Sequence, residues 1–593
     1  MIPDFKRVWA ANPDIRTLFE MSSRIGEARR RLFHYLNRQE RRFLNAHYPV
    51  TDLELATALR AVSVMKNVIA VRNERKTRFS ALRLLHDAAR GLIGEDAAAP
   101  GFKEEFHHLF RAIRGESRLY PDLNAVPPPS LSGREAAVAR SAKLDRLAEG
   151  VANRLDRYPH GLLPRVVRHR TVHRRRIMGL LDASESDWTD YRWHLRHIIR
   201  DPETLARIVR LTGTETEAIT AARGAGIPFG ITPHYASLMD RTQNRKDDHS
   251  VRAQVIPTTN YVSRLLRARD QGEHSLDFMH ERETSPADLI TRRYARIAIL
   301  KPYNTCAQIC VYCQRNWEIT EPMAATAMPA PARLKAAIDW LAAHPAITEV
   351  LVTGGDPLVA TTTYIERIMA SLSRIEHVSR IRIGTRTPVT LPQRITPTLA
   401  DAVARWHEPG RREVCLVTHI QHVYELTPET VTAVQRFRRR GIGVYNQLVF
   451  TREVSRRFEA VALRHHLRLI GVDPYYTFNT KGKEETEDFR VPIARLRQEQ
   501  KEEARLMPGL ERTDEAVYNI PGMGKNYLRG SQHHAVIMIL PDGRRVYEFH
   551  PWEKRISPAP TYVDTDVSIW DYLEWLKSRG ESPRDYRSIW YYW

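Results

Sequence analysis

ARIAILKPYNTCAQICVYC, residues 295–313, is the stretch that decides the fold, because a short apolar strand runs directly into a loop with three cysteines. Cys306, Cys310 and Cys313 are three of the four cysteines in a chain of 593 residues. The N-terminus does not have the basic and apolar segments of a secretory signal, so we expect a cytoplasmic protein with reduced thiols. In that compartment a cysteine cluster indicates metal or redox chemistry rather than a disulfide.

Beyond this loop the sequence alternates between short apolar segments and amphipathic ones. Strand patterns lie at 347–355, 379–385, 413–420, 442–450 and 469–478. Their alternation with helical patterns predicts parallel βαβ units in an open sheet or a barrel. Residues 1–125 are instead charged and helical in pattern, which predicts an all-α N-terminal extension, and the proline-rich stretch 126–133 predicts a break after it.

The composition is strongly basic, with 91 Lys and Arg against 70 Asp and Glu and a net charge of +21. The densest basic stretch is residues 165–176. A solvated helix face or a contact between subunits is favoured there over a site for RNA or phosphate. No apolar run approaches the roughly 20 residues that span a bilayer, so no membrane segment is predicted.

The cysteine spacing, C-x3-C-x2-C, suits a [4Fe–4S] cluster, because three thiolates hold three irons and leave the fourth open. A zinc site is the alternative, and it needs a fourth ligand such as His419 or His422. Cys415 lies in an apolar strand and is expected to be a core residue. The spacing resembles that of the radical S-adenosylmethionine (SAM) enzymes, in which the open iron binds SAM and the cluster cleaves it to a 5′-deoxyadenosyl radical.

A glycine-rich turn follows the first strand pattern after the loop, in ITEVLVTGGDPL (347–358). Glycines at the carboxyl end of a parallel strand let the backbone approach a ligand closely. A common Gly-Gly-Asp turn is the alternative. By its place one βα unit after the cysteines, it resembles the SAM-binding element of radical SAM barrels, which implies the SAM-binding residues Thr353, Gly354, Gly355 and Asp356.

Several segments occur in the order found in the lysine 2,3-aminomutase family, which the chain resembles from about 188 to 550. The segments are DWTDYRWHLRHIIRD (187–201), ITPHYASLMD (231–240), the cysteine loop, LVTGGDPL (351–358), IGTRTPVTLPQRIT (383–396), THIQHVYELT (418–427), DPYYTFNTKGKEETEDFRVPI (473–493) and PGMGK (521–525). The resemblance implies a partial (βα)6-type radical SAM barrel with three cofactors: a [4Fe–4S] cluster, SAM and pyridoxal 5′-phosphate. It further implies that Tyr312, His419 and Gln447 contribute to SAM binding.

Pyridoxal phosphate requires a Schiff-base lysine, and the resemblance assigns that role to Lys525. It implies that Arg293, Tyr294 and Arg296 hold the phosphate of the cofactor, since guanidinium groups suit phosphate. No cysteine follows Cys415, so the C-terminal zinc site of the lysine enzymes is expected to be absent.

The substrate pocket differs from that of the lysine enzymes. Arg315 matches the arginine that holds the α-carboxylate of the substrate. The two aspartates that hold the lysine side chain are replaced by Lys481 and Asn519, as in the glutamate 2,3-aminomutase branch. A cation and an amide favour a side-chain carboxylate over an ammonium. L-Glutamate, converted to β-glutamate, is therefore the expected substrate.

We predict four segments: a helical extension at 1–185, a helical lead-in at 186–290, the barrel at 291–550, and a Trp- and Tyr-rich tail at 551–593. The tail is expected to pack on the barrel or on a neighbouring subunit. A homo-oligomer and an electron donor such as flavodoxin or ferredoxin are the expected partners. The alternatives are an aminomutase acting on lysine, aspartate, glutamine or a carrier- or protein-bound residue, and a nucleic-acid-binding or -modifying protein.

Overall fold

The computed structural model divides the chain into two compact units. It describes residues 3–45, 52–119, 130–241, 247–272, 276–315, 318–479, 484–521, 524–530, 533–550 and 561–593. The first unit contains residues 1–152, 491–506 and 526–593, and the second contains 153–490 and 507–525. The boundaries between these two units therefore differ from the segment boundaries that we predicted at residues 185 and 550. Residues 153–185 belong with the sheet that carries the cysteines, and residues 526–550 belong with the N-terminal helices.

A nine-stranded sheet organises the second unit, with its strands hydrogen-bonded in sequence order. The strands are β1 (Ile290–Thr291), β2 (Ile297–Tyr303), β3 (Glu349–Gly354), β4 (Arg380–Thr385), β5 (Glu413–Thr418), β6 (Gly443–Phe450), β7 (Asp473–Asn479), β8 (Glu515–Ile520) and β9 (Gly524–Tyr527). β1 pairs antiparallel with β2, and β2 to β8 are parallel throughout. The predicted partial (βα)6 barrel is confirmed, and β8 adds a seventh parallel strand.

Five helices connect successive strands from β2 to β7. They are Pro331–Ala342, Thr362–Ser373, Pro397–Ala404, Pro428–Arg438 and Glu459–Leu469. The strands alternate in burial: β4 buries Ile381 and Ile383, while Arg382 between them is only partly buried. Because successive side chains of a strand point to opposite faces, the arginine lies on the other face of the sheet.

Further helices precede the sheet in the second unit. They are Pro164–Leu180, Glu185–Thr189, Tyr191–Arg196, Pro202–Ile208, Gly213–Gly224, Pro233–Ala236, His249–Ala253 and Thr259–Asp270. The basic stretch lies in the first of them. Arg165, Arg168 and Arg175 face solvent there, whereas Arg170 is buried and pairs with Glu429 at 2.7 Å. The exposed arginines are compatible with a solvated helix face and with a contact between subunits, so both interpretations remain predictions.

Helices also dominate the first unit, as predicted for the N-terminal region. They are Phe5–Ala11, Pro13–Glu20, Ile25–Phe43, Asp52–Val68, Val71–Thr77, Ala81–Ala89, Pro100–Ile113, Ile493–Gln498 and Ile569–Ser578, and Gly133–Leu155 crosses the boundary between the units. Three antiparallel strands accompany them: β10 (His534–Ile539), β11 (Arg545–Phe549) and β12 (Tyr562–Thr565).

The C-terminal tail packs within the first unit. Trp590 and Trp593 are buried, and the ring of Trp590 stacks on His108 at 5.1 Å between centroids. Arg545 forms a fully buried ion pair with Glu105 and donates to the backbone carbonyl of Trp590. The expected packing of the tail on the barrel is thus replaced by packing on the N-terminal helices, whose apolar faces need the aromatic surface.

Among the described residues, no helix is both long and apolar enough to cross a membrane.

Candidate active site at the carboxyl end of the parallel strands

The cysteine loop begins directly after β2. Cys306, Cys310 and Cys313 are all partly buried. Burial raises the pKa of the Cys306 thiol, and Asp356 and the other two thiols raise it further, so the three sulfurs share one small region. The backbone N–H of Arg315 donates to the sulfur of Cys313 at 3.3 Å. Three thiols on one loop, with a backbone donor aimed at one sulfur, fit the ligand set of an iron–sulfur cluster.

The glycine turn after β3 packs against the cysteine loop. The N–H of Gly355 donates to the carbonyl of Tyr303 at 2.9 Å, and the N–H of Asp356 donates to the carbonyl of Thr305 at 2.9 Å. A Cβ on Gly355 would lie 2.1 Å from the Thr305 oxygen, and Gly354 has a φ of +118°. Glycine is therefore required here because the backbone of this turn contacts the backbone of the cysteine loop, and the sequence did not reveal this reason.

Asp356 holds the loop that follows β4. Its buried carboxylate accepts hydrogen bonds from the Thr385 hydroxyl at 2.7 Å, the Arg386 N–H at 2.7 Å and the Thr387 N–H at 2.9 Å. This geometry gives the side chain a structural task, and its predicted contact with SAM remains a prediction. Thr353, partly buried at the end of β3, and the turn backbone also remain predicted SAM contacts on this loop.

His419 directly follows β5, Gln447 lies in the middle of β6, and both are partly buried. Burial and the nearby Arg386 together lower the pKa of His419 to about 4. The imidazole is therefore neutral near pH 7 and can accept a hydrogen bond, as a contact to SAM requires. Tyr312 packs edge-to-face on Phe489 at 6.0 Å between centroids, against an apolar cluster. The SAM-binding roles of all three residues remain predictions.

Lys525 lies in β9 with its amine between two tyrosine rings. Its Nζ is 5.1 Å from the ring centroid of Tyr294 and 5.1 Å from that of Tyr476. Burial, together with the nearby Arg382 and Arg293, lowers the pKa of this lysine from 10.5 to about 8, although Tyr475 and Glu349 act in the opposite direction. With such a pKa roughly one tenth of the amine is unprotonated at pH 7, a far larger share than in an ordinary lysine, and the unprotonated form is the one that attacks an aldehyde.

Gly524 explains why a glycine precedes the lysine. It has a φ of +83°, and a Cβ at this position would lie 2.4 Å from the hydroxyl oxygen of Tyr294. The same hydroxyl accepts the N–H of Lys525 at 3.1 Å. Tyr294 thus fixes the backbone of the lysine. Gly522 and Met523 lie outside the described residues.

Glu281, which the sequence did not single out, is surrounded by three cations. Its carboxylate lies 2.8 Å from Arg315, 3.2 Å from Arg293 and 3.3 Å from Lys301. Burial alone would raise the pKa of Glu281, but the three cations together lower it. Glu318 also pairs with Arg315 and Lys301. Three cations against two carboxylates leave one positive charge, which suits one added anion.

Two guanidinium groups near Lys525 carry unused donors. Among the described residues, the Nε atoms of Arg293 and Arg382 are buried without a hydrogen-bond partner. Arg382 is held by Glu349 at 2.7 Å and donates to the Tyr475 hydroxyl at 3.1 Å. Buried donors without partners are costly, so they indicate a bound acceptor. These groups fit the phosphate of pyridoxal phosphate. Arg382 was not among the predicted site residues, because nothing in the sequence connected it with Lys525.

One predicted cofactor residue, Arg296, fits less well. Arg296 is exposed at the start of β2, and its backbone carbonyl accepts from Thr348 and Glu349. An exposed guanidinium does not match the predicted phosphate contact. Asn519 lies in β8 and is partly buried. Lys481, its predicted partner in the substrate pocket, lies outside the described residues.

A second group of possible metal ligands consists of His249, His422 and Glu459, all buried within 4.8 Å of one another. The Nδ1 atom of His422 accepts the N–H of Tyr424 at 3.2 Å, so its Nε2 carries the proton and donates towards Glu459. Arg456 donates to Glu459 at 2.7 Å. A cation and a protonated nitrogen occupy the ligand positions, so this group is a charged hydrogen-bond network.

Comparison with known proteins agrees with this site. The model of the Radical SAM superfamily matches residues 300–463, which contain the cysteine loop and β3 to β6. The chain is therefore a radical SAM protein. An uncharacterized KamA family protein of Methanocaldococcus jannaschii is 40% identical over 612 residues, which cover 99% of this chain and 97% of that protein. The chain belongs to the KamA family.

Two relatives with assigned activities match about half of the chain. The glutamate 2,3-aminomutase of Clostridioides difficile is 34% identical over 54% of this chain and 72% of that protein. The L-lysine 2,3-aminomutase of Clostridium subterminale is also 34% identical, over 54% of this chain and 73% of that protein. The predicted resemblance is confirmed: the chain is a radical SAM aminomutase, an isomerase. Equal identities do not separate the two substrates.

Proposed function

We propose that this protein is a pyridoxal phosphate-dependent 2,3-aminomutase that moves the α-amino group of L-glutamate to the β-carbon. The position of Lys525 is the observation that carries this proposal. A buried amine with a lowered pKa, between two tyrosine rings, has no purpose in the packing of a strand. It matches the lysine that would hold the aldehyde of the cofactor.

The surrounding charges support the same proposal. Arg293 and Arg382 would hold the phosphate, because their Nε atoms are buried without partners in the described part of the chain. When bound, pyridoxal phosphate supplies a conjugated system that lets an amino nitrogen move between adjacent carbons while unpaired spin is delocalised. Tyr294 and Tyr476 would flank that system and exclude water from it.

Cys306, Cys310 and Cys313 would hold the [4Fe–4S] cluster, which with SAM supplies the 5′-deoxyadenosyl radical. An external one-electron donor such as flavodoxin or ferredoxin belongs to the proposal, as does a homo-oligomer. His419, neutral near pH 7, would accept a hydrogen bond from SAM. Its low pKa keeps it neutral over the whole physiological range.

Arg315 would bind the α-carboxylate of the substrate. It follows Cys313 by two residues, so the substrate would lie directly beside the cluster loop. Glu281 holds its guanidinium at 2.8 Å, and the Nε atom is buried with no hydrogen-bond partner among the described residues. Positioning of this kind determines which hydrogen atom faces the radical. The single positive charge left over around Glu281 favours an anionic group there.

Asn519 and Lys481 support glutamate as the substrate. Asn519 places a neutral amide in β8 where the lysine enzymes, by the resemblance, have an acid. Lys481 would supply a charge-assisted hydrogen bond to the side-chain carboxylate. Hydrogen bonds to charged groups contribute roughly 1.5–3 kcal/mol each, so two give on the order of 100-fold discrimination or more.

The test is a comparison of kcat/KM for glutamate, aspartate, glutamine and lysine, with anaerobically reconstituted protein, dithionite, SAM and pyridoxal phosphate. We expect β-glutamate as the main product. A preference for lysine would refute the substrate while leaving the aminomutase chemistry intact. Cys310→Ala should form no 5′-deoxyadenosine, and turnover by this variant would refute the cluster assignment.

Borohydride reduction followed by peptide mapping tests the cofactor lysine separately. The pyridoxyl group should be found on Lys525 and be absent from the Lys525→Ala variant. Lys335→Ala, which removes an exposed lysine paired with Asp339, is the matched control and should be labelled like the wild type. Recovery of the label on Lys481 or Lys483 would contradict both the lysine and the pocket.

A further inference from the structure

A buried network joins three segments whose roles the proposed chemistry leaves open: ITPHYASLMD, IGTRTPVTLPQRIT and THIQHVYELT. Their meeting point is Arg386, in the loop after β4. The guanidinium is only 11% exposed. Its Nη1 atom lies 2.8 Å from the sulfur of Cys310, the middle cysteine of the predicted cluster loop. A cation is thus held directly against a sulfur that would ligate iron.

The other nitrogens of Arg386 are fixed by buried partners. Nη2 donates to Glu425 at 2.7 Å and to the Tyr235 hydroxyl at 3.2 Å, and it also contacts Gln254. Nε donates to the carbonyl of His419 at 3.2 Å. These hydrogen bonds fix the orientation of the guanidinium, so its Nη1 atom is directed at the sulfur of Cys310.

Glu425 is the anchor of the network and is fully buried. One of its oxygens accepts from Arg386, from the Tyr235 hydroxyl at 2.6 Å and from Gln254 at 2.9 Å. The other oxygen accepts the backbone N–H of Gln421 at 2.7 Å. A carboxylate with so many donors does not rotate, so the guanidinium it binds is also fixed. Its negative charge partly offsets that of Arg386 as seen from the cluster loop.

The backbone ties the same network to the cysteine loop. The N–H of Val311 donates to the carbonyl of Gln254 at 2.8 Å. The N–H of Arg386 itself is held by Asp356 at 2.7 Å. Both ends of the Arg386–Cys310 contact are therefore set by the fold, and the contact does not depend on a mobile surface side chain.

We propose that Arg386 is a positioning residue that donates to the Cys310 thiolate and sets the reduction potential of the cluster, with Glu425 attenuating its charge. This inference rests on the proposed cluster at the three cysteines. On reduction the cluster gains one electron from an external donor, and no bond is formed or broken in that step. A cation and a hydrogen bond at a ligand sulfur stabilise the more negative, reduced state and so raise the potential.

The experiment is a redox titration of the reconstituted full-length protein with dithionite as the reductant. Electron paramagnetic resonance measures the reduced cluster at each potential. SAM is left out, so that a lost contact to SAM cannot produce the shift. In Arg386→Gln the ratio of reduced to oxidised cluster at a fixed potential should fall by about tenfold, which is ~59 mV for one electron. In Glu425→Gln the ratio should rise, because Arg386 keeps its charge and loses its counterion.

Two further variants complete the set. Arg386→Lys retains the charge and should shift the ratio less than Arg386→Gln. Arg440→Gln removes a charge that pairs with Asp401 on the surface and should leave the potential unchanged. Opposite shifts for the Arg386 and Glu425 variants support the proposal, because a purely structural role would not change sign.

The iron content and SAM cleavage of the wild-type protein distinguish a failure of the proposed function from a failure of the role of Arg386. If the wild-type protein binds no cluster, the proposed function is wrong. If the wild type binds the cluster and cleaves SAM but the variants do not shift, or shift in the same direction, only the role of Arg386 is wrong. Loss of iron from all three network variants would also overturn it, because Arg386 would then be required for assembly rather than for tuning.

Discussion

Replacing Lys525 by methionine should stabilise the protein without pyridoxal phosphate. The pKa of this buried lysine is lowered from 10.5 to about 8. Below pH 8 the amine is protonated in both the folded and the unfolded state, and the folded state bears the full cost of a buried ammonium. Above pH 10.5 the amine is neutral in both states and the cost disappears. Methionine has a similar length and no charge, so it removes the cost.

The magnitude follows from the shift, since one pKa unit corresponds to about 1.4 kcal/mol. At pH 7 the variant should be more stable than the wild type by about 3 kcal/mol, because the shift is then expressed almost completely. At pH 9.5 the advantage should fall to about 1.4 kcal/mol, because most of the folded protein then has a neutral amine. Stability of the wild type therefore rises with pH relative to the variant between pH 7 and 9.5.

Urea denaturation of the cofactor-free protein at several pH values measures this difference, with the intrinsic fluorescence of the folded units as the signal. Lys335→Met, which removes an exposed lysine, is the control and should show no comparable pH dependence. A Lys525→Met protein that is no more stable than the wild type at pH 7 would refute the reasoning. So would an advantage that does not shrink as the pH rises.

Three other variants test further contacts. Gly355→Ala places a Cβ 2.1 Å from the Thr305 oxygen, so it should lower the free energy of unfolding by about 2 kcal/mol or more and also reduce iron binding. Thermal unfolding and iron analysis measure the two effects. The control Gly179→Ala, with open space around it, should change neither. Arg315→Gln should lower kcat/KM for glutamate by about 100-fold, mainly through KM, because a bidentate contact to the α-carboxylate is lost; an unchanged KM would remove Arg315 from the pocket. Glu105→Gln should destabilise the first unit by about 3–5 kcal/mol in chemical denaturation, because it leaves the buried Arg545 without its counterion, whereas the exposed Glu574→Gln should have little effect.

The elements that could be predicted from the sequence depend on local pattern. The cysteine loop was recognisable because its three ligands lie within eight residues, and the strands because their apolar runs alternate with helical ones. Lys525 was found because it follows a glycine in a motif whose order along the chain matched a known family. In each case the signal lies within a few neighbouring residues.

The elements that could not be predicted depend on distant partners. Glu281 lies 34 residues from Arg315, and Tyr235 lies 151 residues from Arg386, so no spacing rule connects them. The structural task of Asp356 could not be predicted for a related reason. Its motif indicated a ligand, while its hydrogen bonds to the loop after β4 come from residues about 30 positions further on. Arg296 shows a different limit. Its motif matched that of the family, but a motif does not determine whether a side chain at the start of a strand faces solvent.

The buried pair of Glu105 and Arg545 also has a consequence for synthesis on the ribosome. Its two residues are 440 positions apart. At roughly 5–20 residues per second, the glutamate is made roughly 20–90 s before the arginine that neutralises it. During that interval the early helices also lack the aromatic tail that covers them. The first unit can therefore close only after the segment that contains Arg545 and residues 561–593 has been synthesised.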